Sequence, residues 1–419
     1  MVFDWTHLSI YHGLIILGEL LAISALLHML YQRRTPSSMI AWLLAIVLLP
    51  YVSVPLYFIL GSRKRTSSKN KSAFYMQAHP QTISQTNAID GILQNNGIPG
   101  ATADNRFEFY SDGISAYRTL IQQIENAQQS IYFSTYVFKH DDVTDSIVQA
   151  LLIKLKSGVE VKLLIDSLGS WQLYFLRYPL RELRDAGAEI LFFMPILSMP
   201  LRNYINLRNH RKIYLFDQTT VLTGGMNLSR EYMGPEPDLE RWQDLLFLAQ
   251  GPAVYHYAQI FAADWAYASR SAVMTLKPNE PVPGDAYMQV VPSGPDVRGD
   301  ALFEAIISAV YTVKKRLWVV TPYFVPDAAL MQAFIIACHK GIDVKLITPR
   351  QSNHLIADLT RSSYMRELEE AGVHVALYEG TMLHAKAILF DDLGAMLGLS
   401  LIHISEPTRL FLRSRMPSS

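Results

Sequence analysis

Two long apolar runs open the chain, and from about residue 106 short apolar, β-branched segments alternate with amphipathic helical stretches. The runs, Leu8 to Leu30 and Met39 to Leu60, are each long enough to cross a hydrocarbon core that needs roughly 20 helical residues. No basic residue precedes the first run and a second follows at once, so the pattern predicts a permanent anchor of two transmembrane segments over 1–61, not a cleaved signal peptide. Glu19 lies inside the first run, with His12 and His28 toward its ends; an intramembrane carboxylate is either functional or a paired structural group. Pro50 and Pro55 predict a kink or re-entrant turn in the second run. Arg33 and Arg34 occupy the connection, and Arg63, Lys64, Arg65, Lys69 and Lys71 follow the second run. The larger cluster favours a cytoplasmic catalytic region, although a hairpin then puts the arginine pair outside, against the same rule. That cluster reads equally as a stop-transfer flank or as an attractor of anionic headgroups. Residues 62–105, rich in Ser, Asn, Gln and Gly, predict a linker.

The remainder repeats itself. SIYFSTYVFKHD around Ile131 matches RLWVVTPYFVPD around Leu317, and IVQALLIKLKSGVEVKLLID matches LMQAFIIACHKGIDVKLITP. Arg181-Glu182-Leu183 before Gly187 is echoed by Arg366-Glu367-Leu368 before Gly372, and NHRKIYLFD by LHAKAILFD. Spacing between the copies is nearly constant until the last element, where the first copy carries about eleven extra residues. The predicted fold is therefore α/β: two tandem sheet units, 106–275 and 276–398, packed with pseudo-twofold symmetry. A site between them would draw equivalent residues from each.

Charge and cysteine content narrow the function. Lys+Arg and Asp+Glu balance at 37 each, which argues against a nucleic-acid partner. The single cysteine, Cys338, excludes an intrachain disulfide and a cysteine-rich metal site, and its apolar surroundings predict a core position.

Chemistry concentrates in the last repeated element. His210, Lys212 and Asp217 form H-x-K-x4-D, and His384, Lys386 and Asp391 form it again. On a strand, His and Lys two residues apart face the same side, so a pair of such strands brings two imidazoles and two ammonium groups into one pocket. Phosphodiester transfer needs that set: one neutral imidazole to attack phosphorus, another to protonate the leaving oxygen, and cations for the non-bridging oxygens. Gly225 and Asn227, in Gly-Gly-Met-Asn, predict a close backbone approach and an amide donor for the same phosphate. No clustered carboxylates or cysteines accompany the histidines, so no metal and no cofactor is expected. Asp217 and Asp391 fall on the face opposite their lysines and predict loop braces bonded to backbone.

These paired motifs resemble the signature of the phospholipase D superfamily, and within it the chain is similar to the bacterial cardiolipin synthases. The likeness extends to PSSMIAWLL from Pro36, DSLGS at Asp166, SGP at Ser293 and TPYFVPD at Thr321. It implies metal-independent phosphatidyl transfer between two phosphatidylglycerol molecules, yielding cardiolipin and glycerol, by a multi-pass protein of the bacterial inner membrane. It further implies a phosphohistidine on His210, His384 as general acid and then base, and Asp244 as a carboxylate orienting a histidine of the other half.

The second copy departs from this pattern after Gly398, where Leu399-Ser400-Leu401 replaces the expected Asn. LSLIHISEPTR resembles translated sequencing adapter, so residues 399–419 are expected to be an artefactual tail without fold, and the second unit to be truncated. Other phospholipase D-type transferases or hydrolases, or a catalytically dead lipid-binding scaffold, are the alternative functions.

Overall fold

Pro50 decides how the second apolar run folds. Helix Pro36–Leu48 stops short of it and helix Pro50–Leu60 starts at it, with Pro55 inside, because a proline ring cannot continue the preceding helix but suits a first turn. Their 13 and 11 residues reach about 20 and 16 Å, short of the ~30 Å of a hydrocarbon core. The first run forms helix Trp5–Tyr31, interrupted by the polar His12, Glu19 and His28. Among the described residues no helix is long and apolar enough to cross a membrane. The expectation of two transmembrane helices, and of a multi-pass inner-membrane location, is corrected accordingly.

The computed structural model describes residues 5–31, 36–60, 75–83, 87–196, 208–293, 300–392, 394–398 and 409–413. The basic clusters at 33–34 and 63–71, and residues 399–408 of the tail, lie outside them. The chain divides into two compact units, 1–67 with 196–207 and 68–195 with 208–419. In the first, Ala25, Met29, Ile46, Val54 and Tyr57 form a small core, and His28 Nδ1 lies 2.8 Å from the Tyr57 hydroxyl.

The second unit is built on one sheet. Its strands are β1 (Thr102–Tyr110), β2 (Ser130–Thr135), β3 (Glu160–Asp166), β4 (Glu189–Phe193), β5 (Ile213–Phe216), β6 (Thr220–Gly224) and β7 (Leu246–Gln250), then β8 (Ala286–Val291), β9 (Arg316–Val320), β10 (Asp343–Pro349), β11 (His374–Tyr378), β12 (Ala387–Phe390), β13 (Gly394–Gly398) and β14 (Arg409–Arg413). They lie in the order β4-β3-β2-β5-β6-β7-β1-β8-β14-β13-β12-β9-β10-β11, so the second half mirrors the first across a β1–β8 seam. Outer strands pair in parallel and inner ones antiparallel. Every residue of β2 is buried, as expected where helices cover both faces. At the seam, buried Asn105 donates to the carbonyls of Thr102 (2.8 Å) and Ala286 (3.2 Å) and accepts from the amide of Ala253 (2.8 Å).

Two differences from the sequence reading concern the ends of this unit. Inside the expected linker, Asn87 caps helix Ala88–Asn95, which buries Ile89 and Leu93; a helix this short shows too few turns for periodicity to reveal it. Inside the expected structureless tail, β14 pairs with both β13 and β8, in the seat that β7 holds in the first half. Two facing strand edges offer unpaired backbone groups that any extended apolar segment can satisfy, and RLFLR alternates suitably.

Candidate active site

The first motif lies in the extended segment entering β5. His210 and Lys212 precede the strand instead of lying on it. Two buried carboxylates hold this segment from below. Asp166, at the end of β3, accepts the backbone amides of Leu168 (2.9 Å), Gly169 (3.1 Å) and Asn209 (3.1 Å) and stands 3.8 Å from Arg208. Its burial raises its pKa against the pull of Arg208 and these amides. Asp264, on helix Ala253–Ser269, ion-pairs with Arg211 and accepts from Asn209 Nδ2 at 3.1 Å. Above this clamp the His210 ring stacks on Tyr136 at 3.7 Å. Buried Lys212 donates to the His210 carbonyl at 2.8 Å.

The second motif enters β12 in the same way, and Lys386 likewise donates to the carbonyl of His384. Its support comes from the other half of the sheet. Asp244, just before β7, sits 2.6 Å from His384 Nδ1, and the His384 amide donates to the Gln243 carbonyl at 2.7 Å. Lys386 Nζ is 3.7 Å from the same carboxylate and 2.7 and 3.2 Å from the ring nitrogens of His384. Tyr232, Trp242 and Tyr323 surround the ring, which keeps 14% exposure.

The electrostatics tie the motifs together. Burial, then Lys386 and, in part, Lys212, lower the pKa of His384 to about 4, although Asp244 works in the opposite direction. Lys212 of the first motif thus acts on the histidine of the second. Burial alone would raise the Asp244 carboxyl; Lys386 and the His384 hydrogen bond outweigh it and hold the group below its ordinary range. Asp244 therefore stays ionised and accepts the Nδ1 proton, which turns Nε2 into the reactive nitrogen of a neutral ring.

The motif aspartates stand apart from this chemistry. Asp217 accepts the amides of Gln128, Gln129 and Ser130 at 2.7–3.1 Å, and Asp391 those of Lys314, Lys315 and Arg316 at 2.7–3.2 Å. Each ties the hairpin after its motif to the start of β2 or β9. Asn227 Oδ1 accepts the Val137 amide at 3.2 Å, so its carbonyl end serves the loop after β2. Gly225 makes room for a different group from the one expected: a Cβ there would stand 2.0 Å from Asp244 Oδ1. Its missing side chain seats the carboxylate that orients His384.

Sequence reasoning passed over Tyr136, Tyr232 and Asp264, and took Asp166 only as part of a likeness. Asp264 had a signal, being a lone carboxylate in the apolar run AQIFAADWAYA, where burial demands a partner.

Comparison with known proteins bears on this arrangement. A family model described as cardiolipin synthase, PLD-like domain, matches residues 120–265 and 304–400, and one described as phospholipase D-nuclease N-terminal matches 20–62. The major cardiolipin synthase ClsA of Bacillus subtilis (strain 168) is 31% identical over 414 residues, covering 93% of this chain and 85% of that protein. A cardiolipin synthase of Alkalihalophilus pseudofirmus is 32% identical over 390 residues, 88% of this chain and 77% of that one. The crystal structure of phosphatidylserine synthase from Haemophilus influenzae Rd KW20 shares the fold, with a TM-score of 0.58 at 18% identity over 78% of this chain and 87% of that chain.

Proposed function

The chain belongs to the cardiolipin synthase family of the phospholipase D superfamily, and on that premise we propose that it joins two phosphatidylglycerol molecules into cardiolipin and glycerol. Phosphatidyltransferase or hydrolase chemistry of the phospholipase D type comes with membership; the substrates and the covalent intermediate are our reading. The observation that carries it is a site assembled from both halves, with Asp244 of one on His384 of the other and Lys212 acting on the same imidazole.

In this reading a phosphatidylglycerol phosphodiester enters between Lys212 and Lys386. Its negative charge offsets the ammonium groups that depress His384, so the imidazole takes up a proton when substrate binds. The His210 ring attacks phosphorus, the bond to the headgroup glycerol breaks, and His384 Nε2 delivers its proton to the departing oxygen. Phosphatidyl-His210 and glycerol result. The terminal hydroxyl of a second phosphatidylglycerol then attacks phosphorus, its proton passing to His384; the phosphorus–nitrogen bond breaks and cardiolipin leaves. The lysines stabilise charge on the non-bridging oxygens in both steps.

Purified full-length protein with phosphatidylglycerol labelled in the headgroup and acyl chains tests this. Cardiolipin and glycerol in equal amounts are expected. Phosphatidic acid with glycerol would make the enzyme a hydrolase instead. His210→Ala and His384→Ala should each abolish turnover while the protein stays folded, and acid-labile label should be trapped on His210. Label on His384 would reverse the roles, an arrangement that its carboxylate-held, neutral ring also suits.

A further inference from the structure

Most large apolar side chains exposed on the catalytic unit are scattered singly, as Ile153 and Val273 are, and need no explanation. Two groups differ. Trp171, Phe175 and Leu176 lie on helix Trp171–Leu176, after β3; Leu355, Ile356 and Leu359 lie on helix Leu355–Glu370, after β10. All six are 54–80% exposed. The strands they follow are equivalents in the duplication, so the two helices occupy matching positions in the two halves.

Each group is also anchored beside a motif histidine. Ser170, immediately before Trp171, donates to the Tyr136 carbonyl at 3.0 Å, and Tyr136 stacks on His210. Gly169 leaves no room for a Cβ against the same tyrosine. On the other side Asn353 bonds the Tyr323 hydroxyl, and His354, immediately before Leu355, packs on the Tyr323 ring at 5.2 Å. Tyr323 in turn meets His384 edge-on at 6.4 Å.

We propose that these two apolar prongs form the surface by which the catalytic unit docks on a phospholipid bilayer, placing both histidines over the headgroups. The inference rests on the phospholipid substrate proposed above. Its occupant is a lipid surface because of what the prongs carry. Trp171, Phe175 and Tyr178 are the ring types that favour the interface, and Arg177, Arg181 and Arg184 follow the first prong against Glu182 and Asp185, complementing anionic headgroups. A site that handles two lipid molecules gains from touching the bilayer on both sides of its entrance.

Two readouts in the full chain test the proposal. The helices of the first unit also expose apolar side chains, so overall vesicle attachment is not the measure. First, the variant Trp171→Ser/Phe175→Ser/Leu355→Ser/Ile356→Ser is compared with wild type on phosphatidylglycerol vesicles and on short-chain phosphatidylglycerol dissolved as monomers. At least about a tenfold loss is expected on vesicles, from the apolar contact removed, with kcat/KM on monomers unchanged. Equal loss on both substrates, or none on vesicles, would overturn it. Second, an environment-sensitive dye on Phe175→Cys, in a Cys338→Ser background, should shift to the blue when phosphatidylglycerol vesicles are added. No shift refutes docking whatever the activity; a shift with protein concentration alone would assign the prongs to a second copy of the chain. Should wild type turn over neither substrate, the functional reading fails and the dye alone decides the docking.

Discussion

The two motif segments share a sequence pattern but are held by different means. The segment around His210 is clamped chiefly by its own half, through Asp166 and through Asp264 with Arg211, whose guanidinium also donates to the Ser293 carbonyl of the other half at 3.3 Å. The segment around His384 is oriented across the molecule by Asp244 and Gln243. The position of Arg211 is taken in the second copy by Ala385, so no equivalent ion pair can form there. A duplicated fold therefore repeats its reactive groups more faithfully than the scaffolding that aims them. Damage to the first support should cost both stability of one half and the seat of His210, and damage to the second chiefly the orientation of one imidazole.

The largest effect in this contrast should come from Asp244. Asp244→Asn removes the charge that fixes Nδ1–H and raises the His384 pKa, and a fall in kcat on the order of 10²–10⁴ is expected. The sign of the accompanying shift follows from the causes: losing a group that raises the pKa of His384 lowers it further. The limb of the pH–rate profile that reports protonated His384 moves to more acid pH. Gly225→Ala should mimic this loss, since its Cβ collides with the Asp244 carboxylate, without altering any ionisable group. If Gly225→Ala retains wild-type kcat, the cross-half orientation of His384 is not what limits the reaction.

Next in size is the buried pair under the first motif. Asp264→Asn leaves the Arg211 guanidinium in the interior without its carboxylate, a change that costs about 3–5 kcal/mol where measured elsewhere. Chemical denaturation should show the loss. Replacing both partners, as Arg211→Met with Asp264→Leu, should recover most of it while kcat stays low, because Asn209 and the His210 segment lose their fixed seat. Full recovery of activity in the double variant would reduce the pair to packing.

How far these supports could be read from the chain depends on what each leaves in one dimension. The duplication, both histidine–lysine pairs and the backbone role of Asp217 and Asp391 are legible because motif spacing and its repetition carry them, although the pairs lie in the extended segments before β5 and β12 and not on the strands. Asp244 was reachable only through family resemblance: nothing local in ERWQDLLF distinguishes it from an acid entering a strand. Gly225 looked like a cradle for phosphate because a glycine reports missing volume but not which group fills it. The transmembrane reading erred at Pro50, where apolar content averaged along the run overrides the one residue that ends a helix. The exposed prongs were illegible for a related reason, since an apolar residue in a short helix looks the same whether buried or presented to solvent.

The smallest effect expected is also the most symmetrical. Asp217 and Asp391 have positive φ, 51° and 48°, and each carboxylate gathers the backbone amides at the start of β2 or β9. Asn tolerates the left-handed backbone as Asp does, so Asp217→Asn and Asp391→Asn remove charge from these bonds without adding strain. A charged acceptor strengthens such bonds only modestly over a neutral one, and each variant should lose about 1–2 kcal/mol of stability. The Asp391 carboxyl is held below its usual range: burial pushes it up, and the amides of Arg316, Lys314 and Lys315 outweigh that. A depressed carboxylate pKa contributes stability that is present above the unfolded value and lost as pH falls through the folded one. Asp391→Asn should therefore flatten the acid side of the stability curve, most visibly below about pH 4. Turnover at neutral pH should change less than about threefold in either variant, since neither carboxylate bonds a motif histidine or lysine in the structure. A hundredfold loss of kcat in Asp217→Asn alone, with stability matched to Asp391→Asn, would show that the first hairpin aims His210 as well as holding the sheet.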